Sequence, residues 1–322
     1  MNGHTFPRPV SDESAFLPST VGFRQGLLFV DAGSVTAQGA SKPVSQAAAI
    51  ESLDAAVRVV DWLAVTATAD LQAIVGASEV AVYGTPSQVA GSVRFGPAFR
   101  IARLRAIDTQ ITLRPYYQAT FGAILDVSGV IPALRERIAN DASAIGSVAE
   151  ADRRATALEN DLLRASATPL RRRAWGGSLH VANAISPQLG IQLAYGLKLE
   201  RLGATSYDLN RGALPEQSFT SIGHTLSGAI SFDASGWRVP LAVLFEVVVA
   251  AVSVRAEGDG RPSNLHGTLL MGPGLYYTGR RALQLGVHTA VEKGLTPYLT
   301  PYGRTETPTA YYGQFAIRYY FD

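Results

Sequence analysis

The sequence lacks several features that define common classes of protein. It contains no cysteine, which excludes disulfide frameworks, thiolate catalysis and thiolate metal sites. Charged residues make up only 17% of the 322 residues, below the roughly 25% usual for soluble domains, whereas hydrophobic residues make up 47%. The formal net charge is +2, so the composition gives no reason to expect a nucleic-acid partner.

Two signals of membrane targeting are also missing. The first twenty residues, MNGHTFPRPVSDESAFLPST, have neither a basic start nor an apolar core, so no signal peptide is visible, and we expect that one has been removed. No uncharged run reaches the roughly 20 residues that a membrane-spanning helix needs. The best candidate, residues 239–254, carries Glu246 at its middle, and its many valines favour a strand.

Alternation of apolar and polar residues is what the sequence has in abundance. In residues 188–200 the odd positions are all Leu, Ile or Tyr, whereas the even positions include Gln, Lys and Glu. Successive side chains of a strand point to opposite faces, so such a segment has one apolar and one polar face. About twelve segments alternate in this way, each long enough for the 9–11 residues of a tilted transmembrane strand. They are residues 23–36, 47–59, 63–75, 91–102, 107–124, 174–185, 188–203, 218–232, 237–254, 264–277, 282–293 and 309–321.

The connections between these segments alternate in length. Short ones lie near residue 61 and at 103–106, 186–187, 233–236 and 278–281, and longer ones, rich in Gly, Pro and Ser, lie at 37–46, 76–90, 125–173, 204–217, 255–263 and 294–308. Outer-membrane barrels have this asymmetry, with short periplasmic turns and long outer loops. A closed barrel also pairs all of its backbone N–H and C=O groups, for which lipid offers no partner. We therefore predict an all-β membrane protein, a closed antiparallel up-and-down β-barrel of about twelve strands.

Two regions complicate this prediction. Residues 130–167 carry apolar side chains at helical spacing, so we predict a helical loop insertion over 126–172 that either caps the barrel outside or enters its lumen. The remaining organisation is an N-terminal periplasmic segment, 1–22, followed by the transmembrane barrel, 23–322. Four prolines fall within predicted strands and mark either bulges or misplaced boundaries: Pro97, Pro115, Pro240 and Pro273.

The segment GQFAIRYYF, close to the end of the sequence, resembles the C-terminal β-signal of Gram-negative outer-membrane proteins. Phe315, Ile317, Tyr319 and Phe321 match its apolar residues at every second position, and Asp322 departs from its terminal aromatic. The resemblance implies a location in the bacterial outer membrane and recognition of the C-terminal strand by the barrel-assembly machinery. It is a resemblance to porins and other transport barrels, without a particular subfamily.

If the apolar positions face lipid, the even positions of most strands face the lumen. The candidate pore-lining residues are Arg58, Asp70, Arg94, Arg100, Asp108, Arg114, Gln118, Lys198, Glu246 and Arg318. The arginines among them favour anionic or polar solutes, although the same charges would also pair across a closed, filled lumen. A further basic run, Arg171, Arg172 and Arg173, precedes Trp175 and suits outer-membrane lipid and lipopolysaccharide phosphates, or else a solvated loop.

Three functions follow from these features. The first is a channel or porin for passive transport of small polar or anionic solutes. The second is a non-conducting barrel that anchors a cell-surface or envelope complex through its outer loops. The third, an outer-membrane lipid hydrolase, depends on Ser178 and His180, but their order is the reverse of that family's, and both are expected to face the lumen. We therefore expect no enzymatic activity, and no metal or other cofactor.

Overall fold

The structure is a computed structural model that describes residues 6–7, 9, 15–37, 40–78, 81, 87–125, 153, 156, 167–204, 207–208, 212–213, 217–256, 264–280, 282–299 and 305–321. Within these residues twelve strands form a closed antiparallel barrel, in which neighbours in sequence pair and the first strand pairs with the last. The strands are β1 (Ser19–Ala37), β2 (Ala40–Val60), β3 (Leu63–Gly76), β4 (Ser87–Leu104), β5 (Thr109–Leu125), β6 (Ala167–Ala184), β7 (Leu189–Ala204), β8 (Gln217–Asp233), β9 (Leu241–Ala256), β10 (Asn264–Arg280), β11 (Leu283–Gly294) and β12 (Thr309–Phe321). The predicted barrel of about twelve strands is confirmed.

Side chains alternate between the outer surface and the interior of the barrel. In β9, Val243 and Phe245 are 48% and 46% exposed, whereas Leu244 and Glu246 are both 0% exposed. The outer surface is therefore apolar and the interior largely polar, the reverse of a soluble protein. Glu51 is an exception, because it lies on the outer face and accepts a hydrogen bond from Gln25 Nε2 at 3.3 Å.

Aromatic pairs lie in two zones of the outer surface. At the end with the short turns, here the turn end, Trp62 stacks on Phe99 with ring centroids 6.4 Å apart. Further along the strands, the ring centroids of Tyr117 and Trp175 are 4.6 Å apart. Trp175 lies nine residues from the turn end of β6 at Ala184, which is roughly 23 Å along the axis for a rise of 3.3 Å per residue and a tilt of 40°. The two zones thus bracket an apolar band of the height found in membrane barrels.

Several predicted boundaries were wrong. The long connection at 37–46 is mostly strand, since β1 runs to Ala37 and β2 begins at Ala40. Its small polar residues have no apolar face by which to reveal a strand extending beyond the membrane. β1 also begins at Ser19 rather than at 23, and β6 begins at Ala167, so residues 167–172 of the predicted insertion belong to a strand.

The rest of the predicted helical insertion, residues 126–166, lies outside the described residues apart from Arg153 and Thr156. No helix in the described part of the chain has the length and apolarity to cross a membrane.

The prolines within strands lie where pairing with a neighbouring strand is interrupted. Between β4 and β5 the ladder stops at Phe95 and resumes at Phe99, and Pro97 and Pro115 face each other in this gap. Between β10 and β11 it is interrupted beside Pro273. Because proline has no N–H to donate, each gap falls where a ladder hydrogen bond is impossible. The fourth, Pro240, precedes β9, so the predicted strand start at 237 was also wrong.

Glycine is required next to one of these gaps. A Cβ atom on Gly272 would lie 2.0 Å from the carbonyl oxygen of Thr289 on β11, a distance that no side chain tolerates. We therefore expect Gly272→Ala to abolish most folding into the barrel, measured as heat-modifiable migration in gel electrophoresis after refolding in detergent. The matched control is Gly313→Ala, whose Cβ would meet no atom within 4 Å. Equal folded fractions for the two variants would contradict the tight approach of β10 and β11.

Candidate functional site

The described residues that precede β1 lie inside the barrel, against β5. Gln110 Nε2 donates a hydrogen bond to the carbonyl oxygen of Ala15 at 2.7 Å, and Thr112 Oγ1 donates to the same oxygen. Arg114 Nη2 donates to the carbonyl oxygen of Phe16 at 2.8 Å. Three successive inward-facing side chains of one strand thus hold two consecutive backbone carbonyls.

The same segment contacts other parts of the wall. Gln192 Nε2 on β7 donates to the carbonyl oxygen of Pro7 at 2.9 Å, and Leu17 packs against Ala64 and Ala98 of β3 and β4. We call residues 6–17, as far as they are described, the luminal segment. All these contacts lie in the half of the barrel nearest the turn end. The described residues of the segment therefore contact several strands at a similar depth instead of following the barrel axis.

The prediction of a periplasmic segment over residues 1–22 did not include these contacts inside the barrel. The lumen side chains bind backbone carbonyl oxygens, which every residue carries, so the segment's own sequence has no motif that reveals its position. The sequence indicated the inward-facing polar residues of β5, but it did not indicate that the luminal segment is their partner.

A buried charge cluster fills another part of the lumen near the turn end. Arg318 Nη2 lies 3.2 Å from Asp54 Oδ1, and the two residues are 6% and 5% exposed. Arg24 Nε lies 3.7 Å from the same carboxylate oxygen, and Arg318 Nη1 donates to Gln284 Oε1 at 3.4 Å. Charges at this depth of burial require partners, and here four strands, β1, β2, β11 and β12, supply them.

Glu246 lies on the far wall and is fully buried. Its Oε2 atom is 3.8 Å from Nε2 of His288, which is 3% exposed. The Asp54 cluster shows that inward-facing charges pair with one another across strands, as the filled-lumen alternative requires.

A cavity of about 320 Å³ lies beside these groups, a volume typical of a small-ligand site. We call it the lumen cavity. Its polar lining consists of Arg24, Ser52, Asp70, Arg94, Gln118, His288, Tyr312 and Gln314. Asp70 accepts hydrogen bonds from Ser52 Oγ at 2.6 Å and from Ser92 Oγ at 3.2 Å, which fix its carboxylate against the wall.

A smaller cavity separates the lumen cavity from the luminal segment. Arg94 lines the lumen cavity and also a smaller cavity of about 30 Å³, whose wall includes Arg114 and Ser178. The guanidinium carbon of Arg94 lies 5.4 Å from the ring centroid of Tyr116, which holds the side chain across the face of the ring. Since Arg114 binds Phe16, two neighbouring arginines connect the cavity to the segment.

The ten predicted pore-lining residues fall into different environments. Those that line the lumen cavity are Asp70, Arg94 and Gln118, and those buried nearer the turn end or on the far wall are Arg114, Glu246 and Arg318. Lys198 faces inward and forms an ion pair with Glu200. Their part in conduction stays a prediction.

The other three lie at the turn end. Arg58 is exposed near the end of β2, and Arg100 is half-buried beside an irregularity in β4. Asp108 was predicted to lie in a strand, but it lies in the turn that follows Arg105–Ile107 and has a left-handed φ of 48°. Sequence reasoning missed Arg24 and Gln314, although both occupy the inward parity of their strands and alternation alone could have indicated them.

The three consecutive arginines of β6 do not share a face. Arg171 and Arg173 are exposed on the outer surface, as is Trp175, which is 65% exposed. Arg172 points inward, where its Nη1 atom lies 3.7 Å from Glu200 Oε1. The predicted lipid contact therefore does not apply to Arg172, because strand side chains alternate.

Ser178 and His180 form a hydrogen-bonded pair inside the barrel. Ser178 Oγ lies 2.7 Å from His180 Nε2, and His180 is only 2% exposed. Both side chains therefore face away from the bilayer.

Neither a protein-family model nor a curated protein sequence matches the chain. Among solved structures it is similar to the translocator domain of the autotransporter NalP from Neisseria meningitidis, with 9% identity, coverage of 94% of this chain and 88% of that one, and a TM-score of 0.51. The beta domain of the Bordetella autotransporter BrkA has 10% identity over 94% of this chain and 100% of that one, with a TM-score of 0.48. A mutant of the monoaromatic hydrocarbon channel TodX has 9% identity over 95% and 91%, with a TM-score of 0.46. The chain has the fold of an outer-membrane β-barrel.

Proposed function

We propose that the protein is a bacterial outer-membrane channel for small polar or anionic solutes, and that the luminal segment closes its turn end. The observation that carries this proposal is the lumen cavity, a space of about 320 Å³ with charged and polar side chains in its wall, inside a barrel whose outer surface is apolar. Short turns face the periplasm in such barrels, so the luminal segment lies in the periplasmic half.

The charges around the lumen cavity support a preference for anions. Its described lining carries two arginines, Arg24 and Arg94, and a single carboxylate, Asp70. Two serine hydroxyls already donate to Asp70, which reduces the pull of this carboxylate on a passing cation. Positive side chains around a pore raise the local concentration of anions and repel cations.

The contacts of the luminal segment suit a removable closure. Side-chain donors hold it through backbone carbonyls, and water would satisfy both partners if the segment left. Its non-strand backbone is tolerated at membrane depth because it is enclosed by the barrel. Arg94 of the lumen cavity and Arg114, which binds the segment, both line the small cavity of about 30 Å³, so departure of the segment is expected to connect the lumen cavity to the periplasmic side.

Ion selectivity in planar bilayers tests the solute class. Measured across a salt gradient on a form that lacks residues 2–17, the reversal potential is expected to indicate anion preference. Neutralising the cavity with Arg24→Gln and Arg94→Gln is expected to lower the anion-to-cation permeability ratio several-fold, because the lining then keeps only Asp70.

The matched control is Arg173→Gln, which removes the same kind of charge from the outer surface and is expected to leave the reversal potential unchanged. Cation preference in the unsubstituted form would contradict the proposed solute class. Absence of current in every form, with folding intact, would instead favour the barrel that anchors a surface or envelope complex.

Two further parts of the proposal concern assembly and chemistry. β12 pairs with both β11 and β1, so the strand that resembles an assembly signal is also the one that closes the barrel. We assign this strand to recognition by the barrel-assembly machinery. We assign no enzymatic role to Ser178 and His180, because a hydrolase of membrane lipid needs its nucleophile on the bilayer side of the wall.

A further inference from the structure

One side of the lumen cavity carries polar side chains whose hydrogen-bonding capacity is not fully used. Gln314 of β12 and His288 of β11 are paired in register, and both line the lumen cavity. Within the described part of the chain, Gln314 Oε1 accepts no hydrogen bond although it is buried. Nε2 of His288 lies 3.8 Å from Glu246 Oε2, which is beyond hydrogen-bonding distance. A buried acceptor without a donor is unfavourable, so a solute that donates to this side gains affinity.

Gln314 is able to present its amide to a solute. Its side chain is half-buried in the wall, and the last torsion of a glutamine side chain is broad and roughly two-fold. A small rotation therefore turns either the amide oxygen or the amide nitrogen toward the lumen cavity. A hydroxyl group is the matching partner, because it donates to the oxygen and accepts from the nitrogen.

Another side of the lumen cavity suits an anionic group. Arg94 of β4 and Gln118 of β5 are paired in register and both line the cavity. The ring of Tyr116, whose centroid lies 5.4 Å from the guanidinium carbon, positions Arg94. A guanidinium beside an amide offers several N–H donors to one carboxylate, and the charged donor makes these hydrogen bonds strong.

The two sides are too far apart for a single carboxylate to reach both. β12, β1, β2, β3 and β4 are successive strands, so four strand spacings, roughly 19 Å along the wall, separate Gln314 from Arg94. A solute that uses both sides must carry two kinds of group on one carbon chain. Ile50, Leu270 and Ala290, which also line the cavity, provide apolar contacts for that chain.

Asp70 decides against a second anionic group on the solute. This carboxylate lines the lumen cavity on β3, between the two sides, and it would repel another carboxylate. Hydroxyl groups are compatible with it, because a carboxylate oxygen that already accepts from a serine still has lone pairs for a further donor.

We propose that the lumen cavity binds a small organic acid that carries one carboxylate and several hydroxyl groups, of the size of a sugar acid. Its carboxylate lies at Arg94 and Gln118, and a distal hydroxyl lies at Gln314. This inference rests on the proposed function, because it names the class of solute that the same cavity takes.

Three probes with the same number of carbon atoms test the two kinds of group separately. Gluconate carries a carboxylate and hydroxyls, hexanoate carries the carboxylate alone, and sorbitol carries hydroxyls alone. Affinities are measured by isothermal titration calorimetry on the refolded full chain in detergent, with protein-free micelles as the blank. Gluconate is expected to bind at least tenfold more tightly than either of the other probes.

Substitutions assign each group of the solute to its side of the lumen cavity. Gln314→Met keeps the side-chain length and removes the amide, so it is expected to lower the affinity for gluconate to that for hexanoate and to leave hexanoate unchanged. Arg94→Gln is expected to weaken both acids. The matched control is Gln88→Met, at an inward-facing position near the loop end of β4 that lies outside the lining of the cavity, and it is expected to change none of the affinities.

Each outcome bears on the inference. Gluconate that binds the unsubstituted chain no more tightly than hexanoate does would overturn it, whether or not every variant folds. Equal losses of gluconate affinity in Gln314→Met and Gln88→Met would overturn the role of Gln314. An anion-selective channel without a preference for gluconate would contradict this inference alone. A barrel that prefers gluconate but conducts in no form would contradict the proposed channel and retain the binding site.

Discussion

Removal of residues 2–17 is expected to raise the conductance of the barrel by roughly an order of magnitude, from little or no current to a stable open level. The reason is geometric, because the luminal segment occupies the turn end of the lumen through contacts with β3, β4, β5 and β7. Without it, the lumen cavity would open to the periplasmic side past Gln110, Thr112 and Arg114. The measurement is single-channel current in planar bilayers at a stated salt concentration.

A reversible cross-link separates obstruction by the segment from an effect of truncation. The chain has no cysteine, so Ala15→Cys with Thr112→Cys introduces a single cysteine pair where the Thr112 hydroxyl contacts the carbonyl oxygen of Ala15. The oxidised variant is expected to remain closed, and reduction is expected to return it to the current level of the unsubstituted chain. A truncated barrel that is folded and conducts no better than the full chain would contradict the role of the luminal segment as a closure.

Loss of Arg318 is expected to destabilise the barrel by about 3–5 kcal/mol, because Arg318→Ala takes one guanidinium partner from the buried carboxylate of Asp54. Arg24, at 3.7 Å, remains and keeps the loss toward the lower end of this range. The measurement is the free energy of unfolding in urea, with the protein in lipid vesicles or micelles.

The triple variant Arg24→Gln, Asp54→Asn, Arg318→Gln is the control. It removes all three charges of the cluster and leaves no charge buried without an opposite one, so it is expected to lose less stability than Arg318→Ala alone. If the single and triple variants were equally stable, the charge pairing of Asp54 would not be the element that holds this part of the lumen together.

Alternation predicted most of the fold because lipid imposes it. In β7 and β9 the apolar outer face and the polar inner face follow every second residue, and both strands were located within a few residues from the sequence. The extension of β1 and β2 beyond the membrane has no lipid-facing side, so its Ser, Thr and Ala residues carry no such pattern. Strand regions that do not contact lipid therefore cannot be recognised from the alternation of apolar and polar residues.

The contacts of the site were harder to predict because they depend on register. Only pairing across the sheet places Arg173 of β6 beside Arg201 of β7. Alternation along β6 turns Arg172 into the lumen, which is not apparent when three consecutive arginines are treated as one patch. The luminal segment escaped prediction for a different reason, since its partners bind its backbone rather than its side chains.

The strands are expected to cross a membrane with one face in lipid and the other around a polar lumen. A nitroxide scan along β7, with single cysteines at residues 190–199 of the refolded protein in lipid vesicles, tests this arrangement. A period of two is expected: labels at odd positions, such as Leu193 and Leu197, are accessible to oxygen dissolved in the bilayer, and labels at even positions, such as Gln192, are not. Accessibility without this alternation, or high accessibility to a water-soluble quencher at the odd positions, would contradict a membrane-spanning barrel.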